Sequence, residues 1–317
     1  MRRIKFLAIS LALLLFVCLD AYSKKNKPPG DFKKAVSLFN DGNYKLAAGE
    51  FDLILTRQLS SENKKSAYRY LGKSYEKTGD LDKAISTYQL AAQLFPNDIP
   101  ILLSLADIYR YVGLMDRARS SYSEILELKP HNFNANTGLA ETYYGLGFLS
   151  RAEESYKKAI SISPDNNSGL RKKYAQCLFK QRKYIQAEAS AAKAVKELNS
   201  DADAWLLLAR IYYENGKKEN AFSAVETAMK LDPERKDIIL LYSLWLSSAG
   251  QAEKAETLAH SVLKKEPNEP LALFAAAFSL MKLGRQNEAA NYFKQALKSK
   301  ETPFIASVSK KMTEIIS

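Results

Sequence analysis

"YEKTGDLDKAISTYQLAAQLFPND" runs from Tyr75 to Asp98 and contains no histidine or cysteine, yet its glycine, alanines, aromatics and proline recur at a fixed spacing. Similar stretches begin thirty-four residues later at Tyr109 and a further thirty-four residues on at Tyr143. Each stretch contains two segments with apolar residues at helical spacing, separated by a glycine and ended by a proline. The period therefore predicts a chain built from repeated helical hairpins.

The same period extends over most of the chain, with eight copies that begin near residues 28, 65, 99, 133, 168, 202, 236 and 270. Small residues such as Ala106 in the first segment and Ala118 in the second let two helix backbones approach closely, and Pro96 ends the second helix. One hairpin cannot bury both of its faces, so each should pack against the next. The sequence thus predicts an all-α solenoid.

The best copies share Leu, Gly or Ala, Tyr, Gly, Ala, an aromatic residue, Ala and Pro, which in the second copy are Leu71, Gly72, Tyr75, Gly79, Ala84, Tyr88, Ala91 and Pro96. This pattern closely resembles the tetratricopeptide repeat (TPR), an array of helix-turn-helix units. The resemblance implies a right-handed α-solenoid of about eight repeats. The fifth copy departs from the pattern at Arg182 and Asn199, which replace the turn glycine and the loop proline, and the first departs at Leu59. We expect these two repeats to be looser or locally irregular.

The N-terminus has the features of a secretory signal. Residues 1–23 begin with basic residues and continue with an apolar run shorter than the ~20 residues that span a bilayer. They end with the small residues Ala21 and Ser23, so we expect cleavage after Ser23 and location in the bacterial periplasm. The alternatives are an uncleaved membrane anchor and a lipid-modified Cys18, which the bulky Val17 disfavours.

The period and the flanking segments predict the domain boundaries. These are a signal peptide at 1–23, a flexible tether at 24–30, a TPR array at 31–303 and a capping helix at 304–317; the repeats lie near 28–61, 65–98, 99–132, 133–166, 168–201, 202–235, 236–269 and 270–303. In the last segment, Ile305, Val308, Met312 and Ile315 form one helical stripe. The end of a solenoid needs a polar-faced helix, and the alternative role for this stripe is partner binding or self-association.

No catalytic or metal-binding arrangement is evident in the sequence. The two histidines, His131 and His260, lie in different repeats and in no metal-ligand spacing. Neither a phosphate-binding glycine loop nor a nucleophile-turn serine occurs, and the repeats leave no stretch for a separate catalytic domain. We therefore predict a protein that is not an enzyme and binds no cofactor and no metal. Cys177, the one cysteine left after cleavage, is expected to be buried and unreactive.

The TPR resemblance implies that the first helices of the repeats line a groove that receives a segment of another protein. The early groove then carries Arg69, Tyr70, Lys73, Asp107, Arg110, Tyr111, Glu141, Tyr144, Lys172 and Lys173, and is polar and mostly basic. The late groove carries Leu206, Leu240, Leu241, Leu244, Phe274, Phe278 and Met281, with Arg210 and Tyr213 near the border. A family mode that clamps a C-terminal carboxylate is not reproduced, because Ser104 and Gly138 stand where further polar or basic groups are needed.

Charge and compartment restrict the partners. The formal net charge is +12, and removal of residues 1–23 takes away three basic residues and Asp20, which leaves +10. A basic protein can bind nucleic acid, an anionic membrane or an acidic protein. An exported protein seldom meets nucleic acid, so we expect a protein partner with an acidic or apolar segment, with peripheral membrane association as an alternative. The oligomeric state stays open.

The late groove around Leu244, Phe274 and Phe278 is the expected main partner site, because exposed apolar patches usually mark contacts. The competing interpretation is that these side chains bury one another or lie under the capping helix. The leading function is a scaffold in a secretion, pilus, motor or polysaccharide-export assembly of the cell envelope. The alternatives are a chaperone-like binder of many clients and an accessory subunit of an enzyme that handles an anionic envelope polymer.

Overall fold

A computed structural model describes residues 31–163, 167–298 and 303–316. The predicted signal peptide and tether lie outside these residues. The described ranges form 17 helices and no strand: α1 Phe32–Asn40, α2 Tyr44–Leu55, α3 Ser61–Thr78, α4 Leu81–Leu94, α5 Ile99–Tyr111, α6 Met115–Leu128, α7 Phe133–Gly145, α8 Leu149–Ile162, α9 Ser168–Lys180, α10 Tyr184–Glu197, α11 Ala202–Glu214, α12 Lys218–Leu231, α13 Lys236–Ser248, α14 Ala252–Leu263, α15 Pro270–Lys282, α16 Gln286–Ala296 and α17 Pro303–Ile316. The predicted all-α repeat fold is confirmed. None of these helices combines the length and the apolar character that crossing a bilayer requires.

The helices fall into two compact units that divide after Ser163. Unit 1 contains α1–α8 and unit 2 contains α9–α17. In each unit the odd-numbered helix opens a hairpin and the next even-numbered helix closes it, while α17 follows the last hairpin. First helices also contact the first helix of the next hairpin, as α5 does with α7 and α13 with α15. Each unit therefore has a surface formed by its first helices, which we call the first-helix face.

The repeated turn residues set the helix ends. Gly79 has a φ of +81° after α3, and the amide of Asp80 donates to the carbonyl of Tyr75 at 2.9 Å, which closes the helix. At the other end of the repeat, the side chain of Asp98 accepts the amide of Ile101 at 3.1 Å and so caps α5. A residue with positive φ closes the first helix of every hairpin in this way, and six of the eight first helices have a side-chain N-cap.

The two departures from the repeat pattern have different outcomes. Arg182 adopts a φ of +58°, and the amide of Lys183 still donates to the carbonyl of Leu178 at 3.0 Å. This turn of the fifth repeat is therefore regular, and the expected irregularity is not found at Arg182. A residue with a Cβ pays about 1–2 kcal/mol in this left-handed region, so the departure appears as backbone strain. After Leu59, α3 at the start of the second repeat has 18 residues, whereas α5 at the start of the third has 13, which is a local irregularity.

Arg182→Gly is expected to stabilise unit 2 by about 1 kcal/mol, because glycine adopts a positive φ without the steric strain. Gly216→Ala is the matched control, since Gly216 has a φ of +77° in the same unit, and it should destabilise by a similar amount. Urea unfolding followed by circular dichroism measures both changes. Equal or lower stability of Arg182→Gly would contradict the assignment of strain.

One position of the second helices determines how closely the helices pack. The eighth residue of every second helix is buried: Phe51, Tyr88, Tyr122, Tyr156, Ala191, Val225, Ala259 and Phe293. A Cβ atom added at Gly72 would lie 2.4 Å from the Tyr88 ring, and one added at Gly138 would lie 2.2 Å from the Tyr122 ring. No real Cβ atom fits at such distances, so glycine is what admits the tyrosine.

At two of the four second helices of unit 2, the sizes of the packed residues are reversed. The second helices there have the small Ala191 and Val225 at the eighth position. The sixth residue of the next first helix, which is Gly138 in unit 1, is Leu207 or Leu241 in unit 2. Leu207 belongs to the same core cluster as Ala191, and Leu241 packs against the cluster that contains Val225. The interior is thus filled from the first helices where the second helices leave space.

Gly138→Ala is expected to destabilise unit 1 by about 1–3 kcal/mol, because the added methyl group forces the buried Tyr122 ring to move. Gly49→Ala is the control, because a Cβ there meets nothing within 4 Å and should stabilise α2 by about 0.5–1 kcal/mol. Thermal and urea unfolding compare the two variants. If Gly138→Ala is as stable as Gly49→Ala, the tyrosine does not set the helix spacing.

The last helix, α17, packs mainly on α16 and also contacts α15. Ile305 packs against a core cluster that contains Leu273, and Met312 packs against one that contains Phe293. Phe304, at the start of α17, is 79% exposed. One side of α17 therefore covers the last hairpin, and we keep the capping role as our interpretation of this helix.

Candidate partner-binding surface

The seven apolar candidates in unit 2 have different environments. Leu206 is 6% exposed and Leu240 is 1% exposed, so both are core residues. This corrects the expectation that they line an open groove. The physical reason is that their clusters are rich in alanine, with Ala224 near Leu206 and Ala259 near Leu240, and leucines fill the space that alanines leave.

The other five candidates are only partly buried, and we call them the apolar patch: Leu241, Leu244, Phe274, Phe278 and Met281. They lie on α13 and α15, which contact each other directly. The rings of Phe274 and Phe278 are parallel, with 6.3 Å between their centroids. The structure therefore places five of the seven predicted residues, all partly exposed, on two first helices of unit 2 that contact each other.

Polar and aromatic groups adjoin the apolar patch. The ammonium group of Lys282 lies 5.5 Å from the centroid of the Phe278 ring, a cation–π contact. Tyr213 on α11 stacks on Trp245 with 4.3 Å between centroids and 4° between planes. Because Trp245 is buried, this stack holds the half-buried Tyr213 in one orientation beside α13. A partner would thus meet apolar side chains beside a fixed aromatic ring and a cation.

Arg110 and the acidic groups of the early groove bind one another. The guanidinium group of Arg110 forms an ion pair with Glu141 at 2.9 Å and donates to the Tyr122 hydroxyl at 3.3 Å. That hydroxyl in turn donates to Asp107. Arg110 therefore belongs to a structural network of unit 1. Tyr144, another predicted groove residue, is half-buried and lies one turn from Glu141 on α7.

Lys172, another predicted groove cation, lies in unit 2 and has a structural contact. Its ammonium group donates to Asp201 at 2.6 Å, and Asp201 accepts the amide of Ala204 at 3.1 Å as the N-cap of α11. Burial opposes ionisation of Asp201, but these hydrogen bonds outweigh it and lower its pKa. Lys172 thus supports a helix end, a role that sequence spacing alone did not indicate.

Arg69, Tyr70 and Lys73 do come together in unit 1. They line a pocket of about 330 Å³ with Phe39, Ser66 and Ser104. Arg69 and Lys73 are exposed and form no ion pair within the part of the chain that the structure describes. Sequence reasoning placed these three residues in the groove but had no signal for Phe39, which comes from the preceding repeat.

Several tyrosines are held in the neutral form. Burial and a hydrogen bond to Asp52 raise the pKa of Tyr75 to about 12, against an ordinary value of 10.0. Burial, together with the nearby Asp107 and Glu76 carboxylates, also raises the pKa of Tyr122 and of Tyr88 above the usual range. A raised pKa means that the fold favours the protonated phenol, so the contribution of these tyrosines to folding stability is fully present below pH 10.

The stability of unit 1 is therefore expected to fall as the pH rises from about 10 to about 12, where Tyr75 would ionise in the unfolded chain but not in the folded one. Tyr75→Phe should reduce this pH dependence, whereas Tyr111→Phe, at a side chain that is 74% exposed, should not. Urea unfolding at several pH values measures the pH dependence of the free energy of unfolding, and phenolate absorbance is a second readout. An unchanged slope in Tyr75→Phe would contradict the assignment.

Groups suited to chemistry are sparse in the described ranges. No cluster of three or more His, Cys, Asp or Glu side chains is arranged there to hold a metal ion. Cys177 is fully buried, as predicted, and its low reactivity stays a prediction. His260 contacts the carbonyl of Glu256 at 2.9 Å and the hydroxyl of Tyr292 at 3.0 Å, so both ring nitrogens have structural partners.

These features define an α-helical repeat protein whose candidate sites lie on the surfaces of its first helices. The profile of the Cilia and flagella-associated protein 70 middle TPR-like domain matches residues 68–231, just over half of the chain. A Tetratricopeptide repeat profile matches residues 32–99, and the Cytochrome c-type biogenesis protein H TPR domain matches residues 192–302. The chain belongs to the tetratricopeptide repeat family.

Individual relatives are distant. DnaJ homolog subfamily C member 3 of Gallus gallus is 29% identical over 114 residues, which cover 32% of this chain and 23% of that protein. The C-terminal part of a TPR repeat-containing protein from Cytophaga hutchinsonii is 16% identical with a TM-score of 0.64, covering 77% of this chain and 99% of that one. PilW, described as a widely conserved type IV pilus biogenesis factor, is 19% identical with a TM-score of 0.58, covering 66% and 96%. At these identities the solved structures establish the fold alone.

Proposed function

We propose that the protein is a non-enzymatic scaffold that holds a segment of a partner protein on the first-helix face of unit 2, with the apolar patch as the main contact. The observation that carries this proposal is the partly exposed Phe278, which stacks beside Phe274 and below the Lys282 ammonium group. Such aromatic side chains, when a partner covers them, are typical anchors of protein interfaces. The exposed Arg69 and Lys73 of unit 1 steer an acidic partner towards the protein.

The proposal includes export to the cell envelope, most simply to a bacterial periplasm. It is supported by the basic, apolar and small-residue order of residues 1–23. PilW is named for pilus biogenesis, and an envelope assembly of this kind is one setting that the scaffold proposal admits. A chaperone-like binder is distinguished by the capture of many clients in place of one. An accessory subunit for an anionic polymer is distinguished by binding that weakens steeply with salt.

Phe278→Glu is expected to lower partner capture at least tenfold while costing less stability than a core substitution, because the side chain is partly exposed. The measurement immobilises each purified variant, exposes it to envelope extract of the source cells and quantifies the captured protein by mass spectrometry. Asn291→Glu, at an exposed site on α16, is the control for added charge and should keep full capture.

The stabilities of two further variants test whether Phe278 is a surface residue or a core residue. Ala209 is fully buried, so Ala209→Leu should lose about 1–3 kcal/mol by overpacking. Leu244 packs partly against the core cluster that contains Leu240, so Leu244→Glu should fall between Phe278→Glu and Ala209→Leu in stability. The surface assignment fails if Phe278→Glu melts as early as Ala209→Leu. The partner assignment fails if Phe278→Glu captures as well as Asn291→Glu.

A further inference from the structure

The pocket in unit 1 is built from three successive first helices. Phe39 comes from α1, Ser66, Arg69, Tyr70 and Lys73 from α3, and Ser104 from α5, and together they enclose about 330 Å³. It lies in unit 1, whereas the apolar patch lies in unit 2. Its chemistry also differs from that of the patch, because hydroxyl and cationic groups converge on it.

The pocket carries positive charge without a counter-charge in its lining. Arg69 and Lys73 are four residues apart on α3, so they project from the same side of the helix. None of the six lining residues is acidic. Glu76 on α3 and Asp107 on α5 do not line the pocket; Glu76 accepts the hydroxyl of Tyr88 at 2.5 Å, and Asp107 accepts that of Tyr122.

One wall of the pocket is aromatic and firmly supported. The Tyr70 ring stacks on the buried Phe51 with 5.2 Å between centroids and 4° between planes. Phe39 meets the same Tyr70 ring edge-on at 5.1 Å. Ser66 and the Tyr70 hydroxyl have no hydrogen-bond partner among the described residues, so both can donate to a ligand. A ligand that fits must therefore combine a negative group with an adjacent apolar one.

We propose that this pocket binds the side chain of an aspartate or glutamate in an extended peptide segment, next to an aromatic or aliphatic residue of the same segment. The guanidinium fork of Arg69 suits a bidentate carboxylate, and Lys73 supplies a second charge. The neighbouring apolar side chain covers Phe39 and the Tyr70 ring. A free phosphate ion matches the charges but leaves this aromatic wall uncovered. The site goes beyond the proposed function, because it needs no contact with the apolar patch.

The test uses the intact protein and the peptide GSGFEGSG, acetylated and amidated so that the glutamate is its only charge. Binding is measured by ligand-observed NMR titration at fixed ionic strength, with GSGFQGSG and GSGGEGSG as matched peptides. We expect the glutamine peptide to bind at least tenfold more weakly, as the loss of a charge-assisted hydrogen bond implies. The peptide without phenylalanine should also bind more weakly.

Protein variants locate the binding. Arg69→Gln and Lys73→Gln keep the aliphatic stems and are exposed, so circular dichroism should show unchanged helicity, and each should weaken the glutamate peptide about tenfold. Lys77→Gln is the control, because Lys77 is exposed on the same helix but does not line the pocket. Its affinity should stay within about twofold.

Three results would overturn the proposal. Equal binding of the glutamine peptide would remove the role of the carboxylate. An equal loss in Lys77→Gln and Lys73→Gln would indicate diffuse surface charge in place of a defined pocket. Inorganic phosphate that binds as tightly as the glutamate peptide, and displaces it, would assign the pocket to a free oxyanion. Loss of capture in Phe278→Glu with retained peptide binding would leave the pocket assignment intact.

Discussion

The packing of the eighth residue of each second helix against neighbouring first helices is the constraint on which the fold depends. In three of the four second helices of unit 1 this residue is a tyrosine, and glycine at position 72 or 138 gives room to the ring of Tyr88 or Tyr122. The tyrosine hydroxyl reaches the first helix, where Tyr88 donates to Glu76 at 2.5 Å. One side chain therefore fills the interior and also ties a carboxylate of the first-helix face, so core packing and surface charge cannot vary independently.

The same constraint explains why the two units present different surfaces. Where the second helix carries Ala191 or Val225, the interior is completed by Leu207 or Leu241 of the following first helix. First helices in unit 2 are therefore more apolar partly because they must fill their own core. Leu206 and Leu240 follow the same logic, since both are buried. What remains for a partner is the part of the apolar surface that this packing does not use, chiefly around Phe278.

Sequence reasoning reached the fold because its signals are local. Helix ends depend on residues such as Gly79 and Asp98, whose effects extend over a few neighbours, and the period of thirty-four repeats those effects along the chain. The candidate surface was harder to predict, because the exposure of a side chain depends on the residue that faces it from another helix. Comparison of the eighth residue of one helix with the sixth residue of the next offers a signal that could have placed Leu207 and Leu241. Nothing comparable in the spacing indicated that Lys172 would pair with Asp201 at 2.6 Å.

The basic side chains on the first-helix faces then fall into two groups, those that form an ion pair within the fold and those that do not. Arg110 binds Glu141, and Lys172 binds Asp201, so removing either basic side chain would leave a partly buried carboxylate without its ion pair. Arg69 and Lys73 have no such partner in the described residues, and their removal costs the fold little. A charge that the fold does not use, held in a concavity with a supported aromatic wall, is free to recognise a ligand. This difference is why the pocket between α1, α3 and α5 is a stronger candidate for recognition than the more numerous cations elsewhere on the same faces.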